Sequence, residues 1–293
     1  MTTRDTTAPT NPSPVEVAGA VLDVARAGDP TGPPVVFVHG ALVDHTLWTD
    51  VAARLAAAGH DVHLPTWPLG SHRRPVPGSV DLSPEGVADL VAAYLDHENL
   101  TDATVVANDS GGAITQFLLT RRPERVGRVV FTNCDTFERF PPFPFDRLFA
   151  VARRPALGRL LLLPTRWTPV RHAVGFGPLV STPLDAERTR RWIEPYLTDP
   201  GVREDLARFC RGVDPGALAA NASRLGSFER PVLMAWGADD RYFRLADGRR
   251  LAACFPDAEV VPIEGARTFV ALDRPDRVTD LIAGFVRRYG RRP

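Results

Sequence analysis

Hydrophobic and polar positions follow two rhythms along this chain. Short β-branched runs alternate with stretches of helical period, which predicts a mostly parallel sheet wrapped by helices. Val15 to Ala27 reads as an opening hairpin about Gly19, and Pro34 to Val38 as a buried strand ending at His39-Gly40. Helical periodicity from His45 to Ala58 stops at Gly59, and Asp61 to Leu64 forms the next strand. A Pro/Gly loop, Pro65 to Gly78, leads to a helix capped by Ser83 that runs to about Glu98. Ala103 to Asn108 is a strand, Ala113 to Arg122 a helix, and Arg128 to Asn133 another strand. From 135 to 228 the rhythm changes to helical stretches punctuated by Pro, with no run of strand character. Alternation resumes with strands at Pro231 to Trp236 and Ala258 to Ile263, and helices near Leu245 to Cys254 and from Asp276 to Tyr289. The expected layout is an α/β core at 15–134 and 229–293 and a disordered lead-in at 1–14. The segment 135–228 is a helical cap over the strand ends, where doubly wound sheets bind ligands.

Composition narrows the partners. The 293 residues suit one large α/β domain with an insertion. Thirty-five basic and 35 acidic residues cancel, so neither nucleic acid nor a membrane is expected as a partner. Every basic residue is Arg and none is Lys, a usage that points to a GC-rich bacterial genome. Cys134, Cys210 and Cys254 are odd in number and far apart, which implies no disulfide framework and no metal spacing. The N-terminus lacks the apolar core of a signal peptide, and the run Leu160 to Leu163 is far too short to span a bilayer. The expectation is a soluble, reduced, cytoplasmic protein, monomer or homodimer, with no cofactor and no metal.

The chemistry concentrates at Asn108-Asp109-Ser110-Gly111-Gly112. A strained strand-to-helix turn that presents a nucleophile needs small residues two before and two after it. With Asp109 at the apex those flanks are Ala107 and Gly111; with Ser110 they are Asn108 and Gly112, and Asn is too large. Sterics therefore favour Asp109 at the apex, and a plain helix cap would not require both small neighbours. Together with His39-Gly40, Gly237-Ala238-Asp239-Asp240 and the helical insertion, this turn resembles the α/β-hydrolase superfamily. Within it, the resemblance is to the haloalkane dehalogenase and epoxide hydrolase branch, whose nucleophile is Asp. It implies an anion hole from the backbone N–H groups of Ala41 and Ser110. For His39 it implies a structural role in holding the loop.

One position departs from that pattern. Where the superfamily reads Gly-x-Gly-His-Phe, this chain reads Gly265-Ala266-Arg267-Thr268-Phe269, and Phe269, Asp273 and Pro275 keep the spacing. Thr268 thus replaces the water-activating histidine, and a hydroxyl cannot accept a proton as imidazole does. General-base activation of water is worth ~10²–10⁴-fold, so three readings are open. Another histidine substitutes, with His72 ahead of His45 and His172. Alternatively Asp109 is the acid/base of a lyase, isomerase or cyclase. In the third, the site binds a ligand without turnover.

Asp240 stands where the superfamily's acid lies, free to meet Thr268, Arg267 or Arg241. Asp135 is expected to cap the first insertion helix, although some relatives carry an acid at that strand end. Haloalkane dehalogenases place Trp after the nucleophile and Asn after His-Gly to hold halide; here Ser110 and Ala41 stand there. Epoxide hydrolases use paired cap tyrosines, of which Tyr196 is the only candidate within the insertion. The expected function is an α/β-hydrolase-family enzyme using Asp109 on a small or medium apolar substrate such as an ester or epoxide.

Overall fold

The computed structural model describes residues 8–290. Eight strands form one sheet: β1 (Ser13–Val17), β2 (Ala20–Gly28), β3 (Pro34–Val38), β4 (Asp61–Thr66), β5 (Ala103–Asp109), β6 (Val126–Cys134), β7 (Val232–Gly237) and β8 (Ala258–Ile263). Their order is β1-β2-β4-β3-β5-β6-β7-β8. The first two pairings are antiparallel and the rest parallel. The helices α1 (Thr49–Ala57), α2 (Pro84–His97) and α3 (Ser110–Arg121) connect the first strands. The segment between β6 and β7 carries α4 (Phe145–Ala152), α5 (Pro155–Leu162), α6 (Thr168–Val170), α7 (Ala186–Thr198), α8 (Pro200–Gly212) and α9 (Pro215–Ala222). The chain closes with α10 (Leu245–Ala252), α11 (Val270–Asp273) and α12 (Pro275–Tyr289).

Burial explains why the central strands read as continuous apolar runs. Every residue of β6 and β7 is buried, as are all but one terminal residue of β3 and β5. Helices cover both faces of parallel strands, so no polar face is needed. α5 differs from the core helices: only Gly158 along it is buried.

Two boundaries differ from the sequence reading. Residues 1–7 lie outside the described residues, but the rest of the 1–14 lead-in is not free. The Thr10 N–H donates to the Arg26 carbonyl at 2.8 Å, and the Arg26 N–H donates to Thr10 Oγ1 at 3.1 Å. β1 already includes Ser13 and Pro14; a proline is tolerated there because β1 is an edge strand. The second difference is α3, which starts at Ser110 rather than Ala113. Gly111 and Gly112 read as loop residues by propensity, yet both are buried helix positions chosen for close approach. A Cβ on Gly111 would overlap the carbonyl of Val38, and one on Gly112 would overlap the Cys134 side chain.

Candidate active site

Asp109 occupies the sharp turn between β5 and α3 with φ 55° and ψ −132°. A non-glycine residue in that region costs on the order of 1–3 kcal/mol and persists only where the surroundings enforce it. They do so here. Gly40 leaves room for Asp109, because a Cβ on Gly40 would overlap its carboxyl group. Ser110 opens α3, so its N–H belongs to the unsatisfied first turn with its positive dipole end. The Ala41 N–H has no partner among the described residues.

Asp109 opens on a cavity of about 360 Å³ roofed by α4, α5 and the segment that follows. Phe145, Phe149, Phe176, Phe243 and Phe269 line it, and among the described residues Asp109 and Thr165 are its only polar side chains. Asp109 is only partly buried by area, but the surface it keeps is cavity wall rather than bulk solvent. Burial, with the negative charge of Asp240 behind it, pushes its carboxyl up to about 7; the Ser110 backbone N–H opposes the rise.

Behind Asp109 lies a buried hydrogen-bonded cluster centred on Thr268 and Asp240. Thr268 is fully buried. Its hydroxyl donates to Asp240 Oδ2 at 2.8 Å, and its carbonyl accepts from Asn108 Nδ2 at 2.7 Å. Asp240 also accepts from Asn133 Nδ2 at 2.9 Å and from the N–H groups of Tyr242 and Phe243 at 2.8 and 3.2 Å. It pairs with neither Arg241 nor Arg267. Burial still raises its carboxyl above the ordinary range, so desolvation outweighs four donors. Asn133 ties the end of β6 to β7 as well, since its Oδ1 accepts from the Gly237 N–H at 2.6 Å.

Asp135 is a correction. It caps no helix: α4 begins at Phe145, ten residues on, with Pro144 before it. Asp135 is fully buried, and neither carboxyl oxygen has a hydrogen-bond partner; the same holds for Ser110 Oγ. Its N–H donates to the Asp109 carbonyl at 3.3 Å, and Gln116 Nε2 holds its carbonyl at 2.8 Å. Burial and the charge of Asp109 hold this carboxyl well above the usual range. Asn108, Asn133 and Asp135 were therefore under-read. For Asn108 and Asn133 the available signal was a polar residue ending a strand pattern, Ala103 to Asn108 and Arg128 to Asn133, that otherwise reads as fully buried.

The remaining candidates fall elsewhere. His39 is tied into the backbone of its loop: Nδ1 lies 2.9 Å from the Gly40 carbonyl and Nε2 accepts from the Trp67 N–H at 2.8 Å. Burial pushes its imidazole down to about 4, so it stays neutral. His72 does not reach the cavity. Its Nε2 meets Asp205 Oδ2 at 3.0 Å and its Nδ1 accepts from Gly70 N–H, because Asp205 on α8 gathers that loop, taking the Val76 N–H too. His45 is held by Thr66 and His172 by Thr189, and neither lines the cavity. Tyr196 is also absent from the cavity wall. It is fully buried, with its hydroxyl packed where a side chain on Gly158 would sit. Among the described residues, no group of three or more His, Cys, Asp or Glu side chains is arranged to hold a metal ion.

Comparison with known proteins agrees with this architecture. The family model described as alpha/beta hydrolase fold matches residues 33–275. Haloalkane dehalogenase 2 of Mycobacterium tuberculosis is 26% identical over 271 residues, covering 89% of each chain. A haloalkane dehalogenase of Mycolicibacterium paratuberculosis is 28% identical over 266 residues, covering 86% of this chain and 82% of its own. The crystal structure of haloalkane dehalogenase DbeA from Bradyrhizobium elkani superposes with a TM-score of 0.77 at 19% identity, over 94% of this chain and 97% of that one.

Proposed function

This chain belongs to the alpha/beta hydrolase fold family, and on that premise we propose that it is an enzyme acting on a small or medium apolar molecule, with Asp109 as its proton acceptor and donor. The observation that carries this reading is the isolation of Asp109. Among the described residues it is the one ionisable side chain lining an apolar cavity, and Thr268, bonded to Asp240, stands where a water-activating base would be. A carboxyl poised near 7 is matched to proton transfer at neutral pH.

The step balances without a further group. The Asp109 carboxylate takes a proton from an acidic C–H or O–H of the substrate and becomes a carboxylic acid. The N–H groups of Ala41 and Ser110 hold the negative charge left on a substrate oxygen. Asp109 then returns the proton to a different carbon or to a departing group, which gives an isomer or an elimination product and restores the carboxylate. Apolar walls select the substrate by shape and keep competing water out.

The dehalogenase relatives favour a second reading, in which Asp109 attacks carbon and forms an ester. That ester would then wait for water that no histidine of the described residues is placed to activate. Two probes separate the readings. With 5-nitrobenzisoxazole, a compact carbon acid opened by carboxylate bases, the protein should show turnover that Asp109→Asn loses by about 10²-fold or more. With 1-bromohexane, the intact mass should stay unchanged. A hexyl group added to Asp109, or ring opening undiminished in Asp109→Asn, would overturn the proposal.

A further inference from the structure

The helical segment over the cavity has an exposed face that the reaction does not use. Seven large apolar side chains of the described residues are exposed, and six of them, Phe143, Leu157, Leu160, Leu161, Trp167 and Val174, lie between 143 and 174. Leu157, Leu160 and Leu161 share one side of α5 at helical spacing. Leu161 and Val174 belong at once to this face and to the cavity wall, so the patch is the rim of the cavity. Clustered exposed apolar side chains of this kind mark an interaction surface.

Charge on the same segment is mostly of one sign, with Asp146 its one carboxylate. From Arg147 to Leu184 there is no Asp or Glu, while Arg147, Arg153, Arg154, Arg159 and Arg166 are all exposed. None of these five forms an ion pair among the described residues. Arg147 lies over the Phe143 ring at 5.2 Å and Arg166 over Trp167 at 4.4 Å. Exposed Leu and Trp beside an excess of Arg is the chemistry of a surface that lies on anionic lipid; Glu194, which shares a pocket with Arg159 and Arg166, pairs with Arg190 instead.

We propose that this face docks on an anionic phospholipid surface and opens the cavity toward the acyl layer. A second copy of the chain fits less well, because apposed faces would bring two sets of unpaired arginines together. A protein partner seated on the rim would close the cavity, whereas a lipid surface would supply apolar molecules to it. No helix of the described residues is long and apolar enough to cross a membrane, so the contact is peripheral. The expectation that no membrane is a partner rested on overall charge and on the lack of a spanning run, and neither bears on one face. Docking is independent of how Asp109 reacts, and vesicle binding reads it without turnover.

The full chain should co-sediment with vesicles of phosphatidylcholine mixed with phosphatidylglycerol, and about tenfold or more weakly with phosphatidylcholine alone or in high salt. Trp167 is the exposed tryptophan, since Trp48, Trp67, Trp192 and Trp236 are buried. Its emission should therefore shift to the blue on binding, and Trp167→Phe should abolish the shift. Leu160→Glu and the double change Arg147→Glu with Arg166→Glu should each cut binding about tenfold or more, while Asp109→Asn binds as wild type. No binding to mixed vesicles, or binding unaltered by both surface changes, would overturn the proposal. So would a lipid-free dimer that Leu160→Glu dissociates, which would assign the face to a second copy.

Discussion

Asp109 stores two costs in one residue, a backbone at φ 55° and a carboxyl pushed up to about 7. The second makes stability depend on pH, and the sign is fixed. In the unfolded chain this group titrates near 3.9, so between about 4 and 7 the folded protein binds more protons than the unfolded one. Stability from this group is greatest below 4 and falls as pH rises to 7. Asn tolerates positive φ and carries no charge, so Asp109→Asn should raise the melting temperature at pH 8 and leave it nearly unchanged at pH 4. The gain at pH 8 is on the order of 2–4 kcal/mol, and thermal unfolding of both proteins at the two pH values measures it. The residue itself was legible in the sequence because elbow sterics are local: Ala107, Gly111 and Gly112 lie next to it in the chain. His72, Tyr196 and Asp135 were not, because their roles depend on contacts with Asp205, Gly158 and Asp109 made by folding.

At the scale of elements, β5, α3 and β6 meet so closely that glycine is required. A Cβ on Gly112 would overlap Cys134 at the end of β6, a buried residue in a buried strand. Gly112→Ala must therefore separate α3 from β6 and should cost about 1–3 kcal/mol, read as a lower urea midpoint. Gly78→Ala is the control, since its Cβ would meet nothing within 4 Å. Most element limits followed from period and turn residues, and the strands near Pro34, Ala103, Arg128 and Pro231 appear where apolar runs placed them. The start of α3 did not follow. Helix propensity reads Gly-Gly as a break, whereas tertiary packing places both glycines inside the first turn.

For the whole molecule, a formal net charge of zero hides an uneven distribution. Acidic residues are missing from 147–184, on the same side of the molecule as the mouth of the cavity, and composition alone averages that asymmetry away. The sheet, the insertion and the elbow together produce an apolar chamber in which, among the described residues, Asp109 is the single ionisable group. The most direct measurement of what that group does is the pH dependence of kcat/KM for opening of 5-nitrobenzisoxazole, which reports the free protein's essential base. The rate should rise with pH through a midpoint near 7 and level off above it, with Asp109→Asn lacking the rise. A profile already level by pH 5, or one that survives in Asp109→Asn, would contradict the account.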